Sequence, residues 1–223
     1  MSFYLEINNI SHSYDKNERY VVENFSLSVN SGEIVCLFGP TGCGKTTLLR
    51  IIAGLEKQTR GSIVVNSKIF SNEEVFLPPE ERNIGMMFQD NALFPHLKVE
   101  ENILFGIQSL KPDEKNSTLN FLLKNMSIKD ISKSYPHQLS GGEKQRVALA
   151  RSIAPKPNIL LMDEPFSELD DAMKSKLLDL TLTSLKKQNI TAVVVTHNAS
   201  DARKMADKLA IMENGKLRSL EVL

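Results

Sequence analysis

The glycine-rich stretch Gly39–Thr46 is the feature that most constrains the fold of this chain. Its sequence, GPTGCGKT, follows the apolar run Ile34–Phe38 and precedes the helical stretch Thr46–Leu55. A buried strand, a glycine-rich turn and a helix in this order form a P-loop, in which glycines let backbone N–H groups surround a phosphate and the helix N-terminus adds partial positive charge. The stretch therefore predicts a nucleotide bound at the carboxyl end of a parallel strand.

The side chains of this loop supply further chemistry. Lys45 brings a full positive charge to the β- and γ-phosphates, and the Thr46 hydroxyl is placed to bind Mg²⁺. The alternative, a glycine-rich turn before a surface lysine, is disfavoured by the flanking strand and helix. Cys43 is either a reactive thiol at a helix N-terminus or a small residue that the loop tolerates. We expect the nucleotide to contact Gly39, Pro40, Thr41, Gly42, Cys43, Gly44, Lys45, Thr46 and Thr47.

The wider hydrophobic pattern predicts an α/β fold of the P-loop NTPase type. Apolar runs at Ile159–Met162 and Thr191–Val195 are typical of buried parallel strands, so we expect a mostly parallel sheet with helices on both faces. Residues of about 90–140 have helical spacing and no strand pattern, which predicts a helical subdomain inserted into a single domain, 1–223. An N-terminal antiparallel β-subdomain is predicted by the alternating residues Phe3, Leu5, Ile7, Phe25, Leu27 and Val29.

Composition limits the partners and the cellular compartment that we expect for this chain. The 223 residues include 27 Lys and Arg against 27 Asp and Glu, and this zero net charge gives no support to a nucleic-acid partner. Cys36 and Cys43 cannot form a disulfide framework, which favours a reducing compartment. No apolar run approaches the roughly 18–20 residues of a membrane span, and the N-terminus lacks a signal-peptide pattern. We therefore expect any role at a membrane to be peripheral.

Two adjacent carboxylates follow the apolar run Ile159–Met162. Ligands bind at the carboxyl ends of such strands, so we expect Asp163 beside the P-loop, where it can hold Mg²⁺ directly or through water. Glu164 points elsewhere and can orient and deprotonate a water aimed at the γ-phosphate. A second acidic residue here suits hydrolysis better than transfer to a bound substrate. The alternative is a solvated acidic pair that opens a loop.

A second helix start with phosphate-binding character comes about 100 residues after the P-loop. Ser140 and Glu143 form a capping box before the helical stretch Lys144–Ala154. The intervening Gly141 and Gly142 exceed what capping needs, because glycine costs about 1 kcal/mol relative to alanine in a helix. Two glycines are explained if another group must approach the backbone closely at this point. Because the N–H groups of a first helical turn are free, we expect that group to be a phosphate.

From Phe3 to Leu217 the sequence resembles the ATP-binding-cassette (ABC) ATPase family. The stretch Leu139–Arg146, LSGGEKQR, is similar to the signature specific to that family. The resemblance implies that two copies pair head to tail, with two ATP molecules and their Mg²⁺ between the P-loop of one copy and the signature residues Ser140–Glu143 of the other. ATP binding then closes the pair, and hydrolysis opens it.

Other positions match this family one by one. Tyr14 matches the aromatic residue that stacks on adenine, although a tyrosine after a strand can also be purely structural. Gln89 matches a glutamine that meets Mg²⁺ and the attacking water. His197 matches a histidine that contacts the γ-phosphate, although a lone histidine more often only satisfies a hydrogen bond. In the communicating loop Ser167–Asp170, Glu168 stands where a small residue is commoner. The implied catalytic residues are Glu164, His197, Gln89 and Lys45, and the implied metal ligands are Thr46, Gln89 and Asp163.

Residues Leu77–Leu97 narrow the resemblance to bacterial importer ATPases of the sugar, polyamine, ferric-iron, sulfate and thiamine type. That branch implies integral-membrane permease subunits, with a short helix docked in a groove near Gln89, and an extracytoplasmic substrate-binding protein. It also implies a location at the cytoplasmic face of the inner or plasma membrane. Since this sequence ends soon after Gly215, we expect this protein to lack the C-terminal regulatory domain that many relatives in that branch carry. Candidate contacts in the groove, unless they merely pack the insertion, are Phe94, Leu97 and Phe105.

Two other functions stay open. An ABC-type ATPase that acts on soluble partners usually carries coiled-coil arms or tandem cassettes, and neither pattern is present in this sequence. A P-loop kinase for small molecules would need an arginine-rich lid over its substrate and would not need Ser140–Gly142. We therefore expect an ATPase that works as a homodimer and couples ATP hydrolysis to import.

Overall fold

The computed structural model describes residues 4–15 and 19–223; Phe3, predicted in the first strand, lies outside these ranges. The strands of the described part are β1 (Leu5–His12), β2 (Val22–Val29), β3 (Ile34–Phe38), β4 (Arg60–Val65), β5 (Lys68–Ser71), β6 (Ile84–Met87), β7 (Ile159–Asp163), β8 (Thr191–Thr196), β9 (Lys208–Glu213) and β10 (Lys216–Val222). Its α-helices are α1 (Lys45–Ala53), α2 (Val99–Leu104), α3 (Pro112–Asn125), α4 (Gly141–Ile153), α5 (Asp171–Lys187) and α6 (Ala199–Met205).

The P-loop strand β3 lies inside a six-stranded sheet with the order β10-β9-β3-β8-β7-β6. The strands from β9 to β6 are parallel, and β10 runs antiparallel to β9 at the edge. This confirms the predicted mostly parallel sheet. Because β9 and β8 flank β3, residues from the C-terminal part of the chain reach the end of the P-loop strand.

Successive residues of β3 enter two different hydrophobic cores, as expected for a strand buried on both faces. Ile34 and Cys36 face a core built with helices α2 to α6, whereas Val35 and Leu37 face a core built with α1 and the antiparallel sheet. The predicted helices on both faces are therefore confirmed. Among the described helices, only α1, which follows the P-loop, lies on the face of the six-stranded sheet that also packs against the antiparallel sheet.

The N-terminal antiparallel sheet is larger than the two strands predicted by alternation. β1 pairs with β2 as expected, and on its other edge it pairs with β4, which in turn pairs with β5. The hydrophobic pattern does not reveal β4 and β5, because segments of six and four residues are too short to show a clear period.

The segment between β6 and α4, all of which the structure describes, contains helices and no strand, as predicted. The first helical stretch of this segment, Val99–Ile107, is divided, since α2 ends at Leu104 and a 3₁₀ turn spans Phe105–Ile107. α3 begins at Pro112, because a proline at the first helical position followed by two acidic residues forms a favourable N-terminus. The division of the chain into one domain with an inserted helical subdomain stays a prediction.

None of the helices in the described ranges combines the length and the hydropathy that crossing a bilayer requires.

Candidate nucleotide-binding site

The P-loop connects β3 to α1, and its glycines are needed for two different reasons. A Cβ on Gly39 would lie 2.1 Å from the Met212 carbonyl oxygen, and one on Gly44 would lie 2.4 Å from the Val21 carbonyl oxygen. Both glycines therefore allow the loop to pack against neighbouring backbone. Gly42 has φ +79°, and a Cβ there would meet no heavy atom of the described residues within 4 Å, so its backbone faces open space.

Lys45 is the first residue of α1, and its ammonium group is buried within the loop. Its Nζ donates hydrogen bonds to the carbonyl oxygens of Gly39 at 2.7 Å and Pro40 at 2.8 Å. These two carbonyl oxygens hold the positive charge at the end of β3, at the floor of the loop. A lysine in this position is suited to bind phosphate oxygens as a point charge.

A cavity of about 840 Å³ opens above the P-loop, which is within the size range of small-molecule sites. It brings together residues that lie far apart in the sequence, because the strands β3, β6, β7 and β8 end at the same edge of the sheet. The residues predicted for the site that line this cavity are Gly39, Pro40, Thr41, Gly42, Gly44, Lys45, Thr46, Thr47, Gln89, Glu164 and His197.

Cys43 is a member of the P-loop that does not line this cavity. Its side chain is 6% exposed and belongs to the core beneath the loop. The Lys45 Nζ lies 3.8 Å from its sulfur. The position does not support the expected reactivity, because alkylation requires an accessible thiolate and a buried thiol is inert.

Asp163 ends β7, is 3% exposed and does not itself line the cavity, although its side chain is hydrogen-bonded to that of Thr46, which does. Burial raises the pKa of this carboxyl group, and the neighbouring Glu164 raises it further, whereas the hydrogen bond with the Thr46 side chain and the charge of Lys45 act in the opposite direction. The two predicted metal ligands Thr46 and Asp163 are thus in direct contact. Gln89, the third, follows β6 and lies on the wall of the same cavity.

Glu164 follows Asp163 with a left-handed backbone, φ 50°. A residue with a side chain in this conformation is strained by about 1–3 kcal/mol, and such strain clusters at functional sites. The conformation is held by the surrounding structure, since the Glu164 N–H donates to the Val195 carbonyl oxygen at 3.0 Å and the Glu164 carbonyl accepts from Gln145 Nε2 at 3.3 Å. As a result the two adjacent carboxylates diverge, and Glu164 Oε1 lies 2.9 Å from Nδ1 of His197.

The helix start Ser140–Glu143 lies outside the P-loop cavity. Its predicted capping box is present, with the Ser140 hydroxyl 2.8 Å from Glu143 Oε2 and the Glu143 N–H 3.3 Å from the Ser140 hydroxyl. The hydrogen bond that Glu143 Oε2 accepts from the Ser140 N–H and, to a smaller extent, the bond from the Ser140 hydroxyl lower the pKa of the Glu143 carboxyl group. The helix begins at Gly141, three residues before the predicted Lys144, because both glycines are part of its first turn.

Tyr14 also lies outside the residues that line the cavity, but it is attached to the helix that begins there. Its hydroxyl is 3.2 Å from Thr47 Oγ1, and its ring meets His12 edge-on at a centroid distance of 4.8 Å. More than half of the Tyr14 surface is exposed among the described residues, so its ring is accessible to a planar group.

Part of the cavity wall is built by residues that no sequence motif identifies. Two of them lie near the ends of β3 and β8, and the other four reach the cavity because β9 and the segment before β2 lie beside the P-loop strand. These residues are Val21, Phe38, Val195, Ile211, Met212 and Glu213.

A family model described as ABC transporter matches residues 22–167. The chain is 39% identical to a ferric-iron import ATP-binding protein, FbpC 2, of Haemophilus influenzae, over 92% of this chain and 58% of that protein. It is 43% identical to the putrescine transport ATP-binding protein PotG of Escherichia coli, over 95% of this chain and 55% of that protein. It therefore spans a little over half the length of these relatives.

The fold is also close to that of a solved ATP-binding cassette. A dimeric post-hydrolysis structure of MJ0796, bound to ADP and Pi, superposes with a TM-score of 0.88 and 31% sequence identity, covering 98% of both chains. The match to the family over residues 22–167, the likeness to this cassette and the P-loop found in this chain agree with one another. The chain belongs to the ABC transporter family.

Proposed function

We propose that this chain is the ATP-hydrolysing, energy-coupling subunit of an import complex. The observation that carries the proposal is the cavity in which the P-loop, Gln89, Glu164 and His197 meet. The relatives named as ferric-iron import and putrescine transport ATP-binding proteins support the coupling of ATP to import.

The residues at the back of the cavity fit a magnesium ion. Mg²⁺ prefers oxygen ligands, often one or two carboxylates together with phosphate oxygens of a substrate. The Thr46 hydroxyl, the Asp163 carboxylate and the Gln89 amide oxygen would hold it. Burial disfavours the charged form of Asp163, so a cation bound there would stabilise the carboxylate. When bound, Mg²⁺ supplies positive charge to the β- and γ-phosphates.

Glu164 and His197 are arranged for hydrolysis. The Glu164 carboxylate faces the cavity and can orient a water and accept its proton, a contribution of about 10²–10⁴-fold to the rate. His197 holds the Glu164 carboxylate through Nδ1 and can meet the γ-phosphate with its second nitrogen. Lys45 stabilises the negative charge on the same phosphate.

The signature helix start lies outside the cavity of its own P-loop, which supports a site shared by two copies. In this arrangement the backbone of Ser140–Gly142 binds the γ-phosphate held by the P-loop of a second copy. The solved relative MJ0796 is dimeric. ATP then favours the closed pair, and loss of the γ-phosphate contacts favours the open pair.

We propose that integral-membrane permease subunits dock in a groove beside Gln89. The groove has a volume of about 420 Å³, and Phe94 and Phe105 lie on its wall with ring centroids 4.4 Å apart. Leu97 does not line it. We also propose that the complex includes an extracytoplasmic substrate-binding protein and that this chain lies at the cytoplasmic face of the membrane.

One comparison separates the candidate functions. ATP turnover is measured for the purified chain and for Glu164→Gln, with Glu221→Gln on the exposed edge strand β10 as the charge-matched control. We expect Glu164→Gln to lose at least about 100-fold in turnover, with retained ATP binding, and the control to match the parent. Phosphate transferred to a small acceptor instead of water would point to a kinase. Purification from cells without a membrane protein, but with a soluble partner, would favour the soluble-partner ATPase.

A further inference from the structure

The loop between β7 and α5 brings a carboxylate onto the start of the signature helix. A Cβ placed on Gly141 would lie 2.6 Å from Glu168 Oε2, so the carboxylate is in direct contact with the backbone of the first residue of α4. The next residue of the loop continues this contact, because a Cβ on Gly142 would lie 3.0 Å from Cδ2 of Leu169. In this conformation the two signature glycines accommodate a segment of their own chain.

A second carboxylate occupies the same helix end. Glu143 Oε2 accepts hydrogen bonds from the Ser140 N–H and the Ser140 hydroxyl, both at 2.8 Å. The end of the helix therefore faces two negative charges of its own chain, Glu143 and Glu168. Negative charge at a helix N-terminus is favourable, and this is the reason that such an end also attracts phosphate.

We propose that Glu168 acts as an intramolecular competitor for the site at which the signature binds the nucleotide of a second copy. The inference rests on the proposed function, in which Ser140–Gly142 receive that γ-phosphate. A phosphate that approaches the backbone of Gly141 meets the Glu168 carboxylate at its contact there and displaces it, because the two anions repel each other. Glu168 must leave before the pair closes, so it raises the ATP concentration at which two copies associate.

The same loop connects this contact to the proposed catalytic base. Glu168 is four residues after Glu164, and the Glu164 carbonyl accepts a hydrogen bond from Ser167 Oγ at 3.1 Å and from Gln145 Nε2 of the signature helix at 3.3 Å. Departure of Glu168 therefore moves a segment that is bonded to Glu164.

The test compares ATP-dependent pairing with and without this carboxylate. Glu164→Gln serves as the background because it holds ATP without turnover, and Glu168→Gln or the distant Glu221→Gln is added to it. Sedimentation velocity at a fixed protein concentration gives the ATP concentration at which half of the chain is dimeric. We expect Glu168→Gln to lower that concentration by about tenfold and Glu221→Gln to leave it unchanged. The difference should shrink at high salt, since it is electrostatic.

The outcomes distinguish the competitor role of Glu168 from the site shared by two copies. Pairing at the same ATP concentration with and without Glu168→Gln would overturn the competitor role and leave the shared site intact. A monomer in every variant at saturating ATP would overturn the shared site, and the competitor role with it. Pairing of only the Glu168→Gln variant would support both. Because Glu168 lies on a surface loop and makes no ion pair among the described residues, we expect Glu168→Gln to lower the unfolding temperature by no more than about 2–4 °C, so that all three chains are folded under the conditions of the assay.

Discussion

Glu164 Oε1 and His197 Nδ1 lie 2.9 Å apart, although the two residues are separated by a strand and a helix in the sequence. Glu164 follows the end of β7, and His197 follows the end of β8, the neighbouring parallel strand. The pair exists because parallel strands deliver the residues after their carboxyl ends to one edge of the sheet. The left-handed backbone of Glu164 then turns its carboxylate away from Asp163 and toward the histidine.

We expect His197→Ala to lower ATP turnover by about 100-fold while ATP binding changes little, because the carboxylate that accepts the proton of water loses its positioning partner. His197→Gln, which restores one hydrogen-bond donor, should recover part of the loss. Turnover is measured by phosphate release and binding by equilibrium titration with labelled ATP. An equal loss for the two variants would argue against positioning through Nδ1.

Asp163→Asn is expected to stabilise the fold while abolishing magnesium-dependent hydrolysis. The pKa of Asp163 is raised in the folded chain, chiefly by burial, so the folded state holds its proton more strongly than the unfolded state. The side chain therefore favours folding at low pH and loses that contribution as pH rises through its folded pKa. Asparagine carries no charge at any pH.

The advantage of Asp163→Asn over the parent should therefore grow as pH rises through the folded pKa of Asp163. At neutral pH we expect the melting temperature to rise by about 2–4 °C, corresponding to about 1 kcal/mol. Thermal unfolding of both chains across a pH series, without nucleotide or Mg²⁺, provides the measurement. A constant difference at all pH values would contradict this account.

Arg82→Met is expected to destabilise the chain strongly. The buried Arg82 guanidinium donates to the carbonyl oxygens of Ile51 at 3.0 Å and Ile52 at 2.8 Å, at the end of α1, and burial lowers its pKa to about 10. Methionine leaves these carbonyls without the donors, and we expect a loss of about 2–4 kcal/mol in the free energy of unfolding. The control Arg50→Met, on α1, removes a partly exposed ion pair between Arg50 and Glu56 and should cost less than about 1 kcal/mol. Urea unfolding monitors both, and similar losses would refute the special role of Arg82.

Phe105→Asp is expected to disrupt capture of the membrane partner without unfolding the chain. Phe105 is 47% exposed on the wall of the groove beside Gln89, so a charge there opposes docking of an apolar helix. Phe121→Asp, 52% exposed on α3 and away from this groove, is the matched control. Co-purification of tagged chains from detergent-solubilised membranes measures the effect. Equal recovery of the membrane partner by both variants would place its docking surface elsewhere.

The local elements could be predicted because each depends on neighbouring residues. The apolar run of β3, the P-loop glycines and the capping box Ser140–Glu143 form over a few consecutive residues, and all of them occur as expected. The short strands β4 and β5 escaped prediction, since their partners, not their own pattern, stabilise them. The resemblance to a family extended the prediction to separate positions such as Gln89 and His197, whose meeting in one cavity a pattern alone does not reveal.

The sequence alone determined that a phosphate-binding turn joins a buried strand to a helix, and that a second glycine-containing helix start follows. Only the tertiary structure decided which residues meet around them. It brought the Met212 carbonyl beneath Gly39, His197 onto Glu164 and the Glu168 carboxylate onto Gly141. The physical reason is that backbone conformation is governed by adjacent side chains, whereas the neighbours of each strand and loop depend on how distant segments bury their apolar faces together.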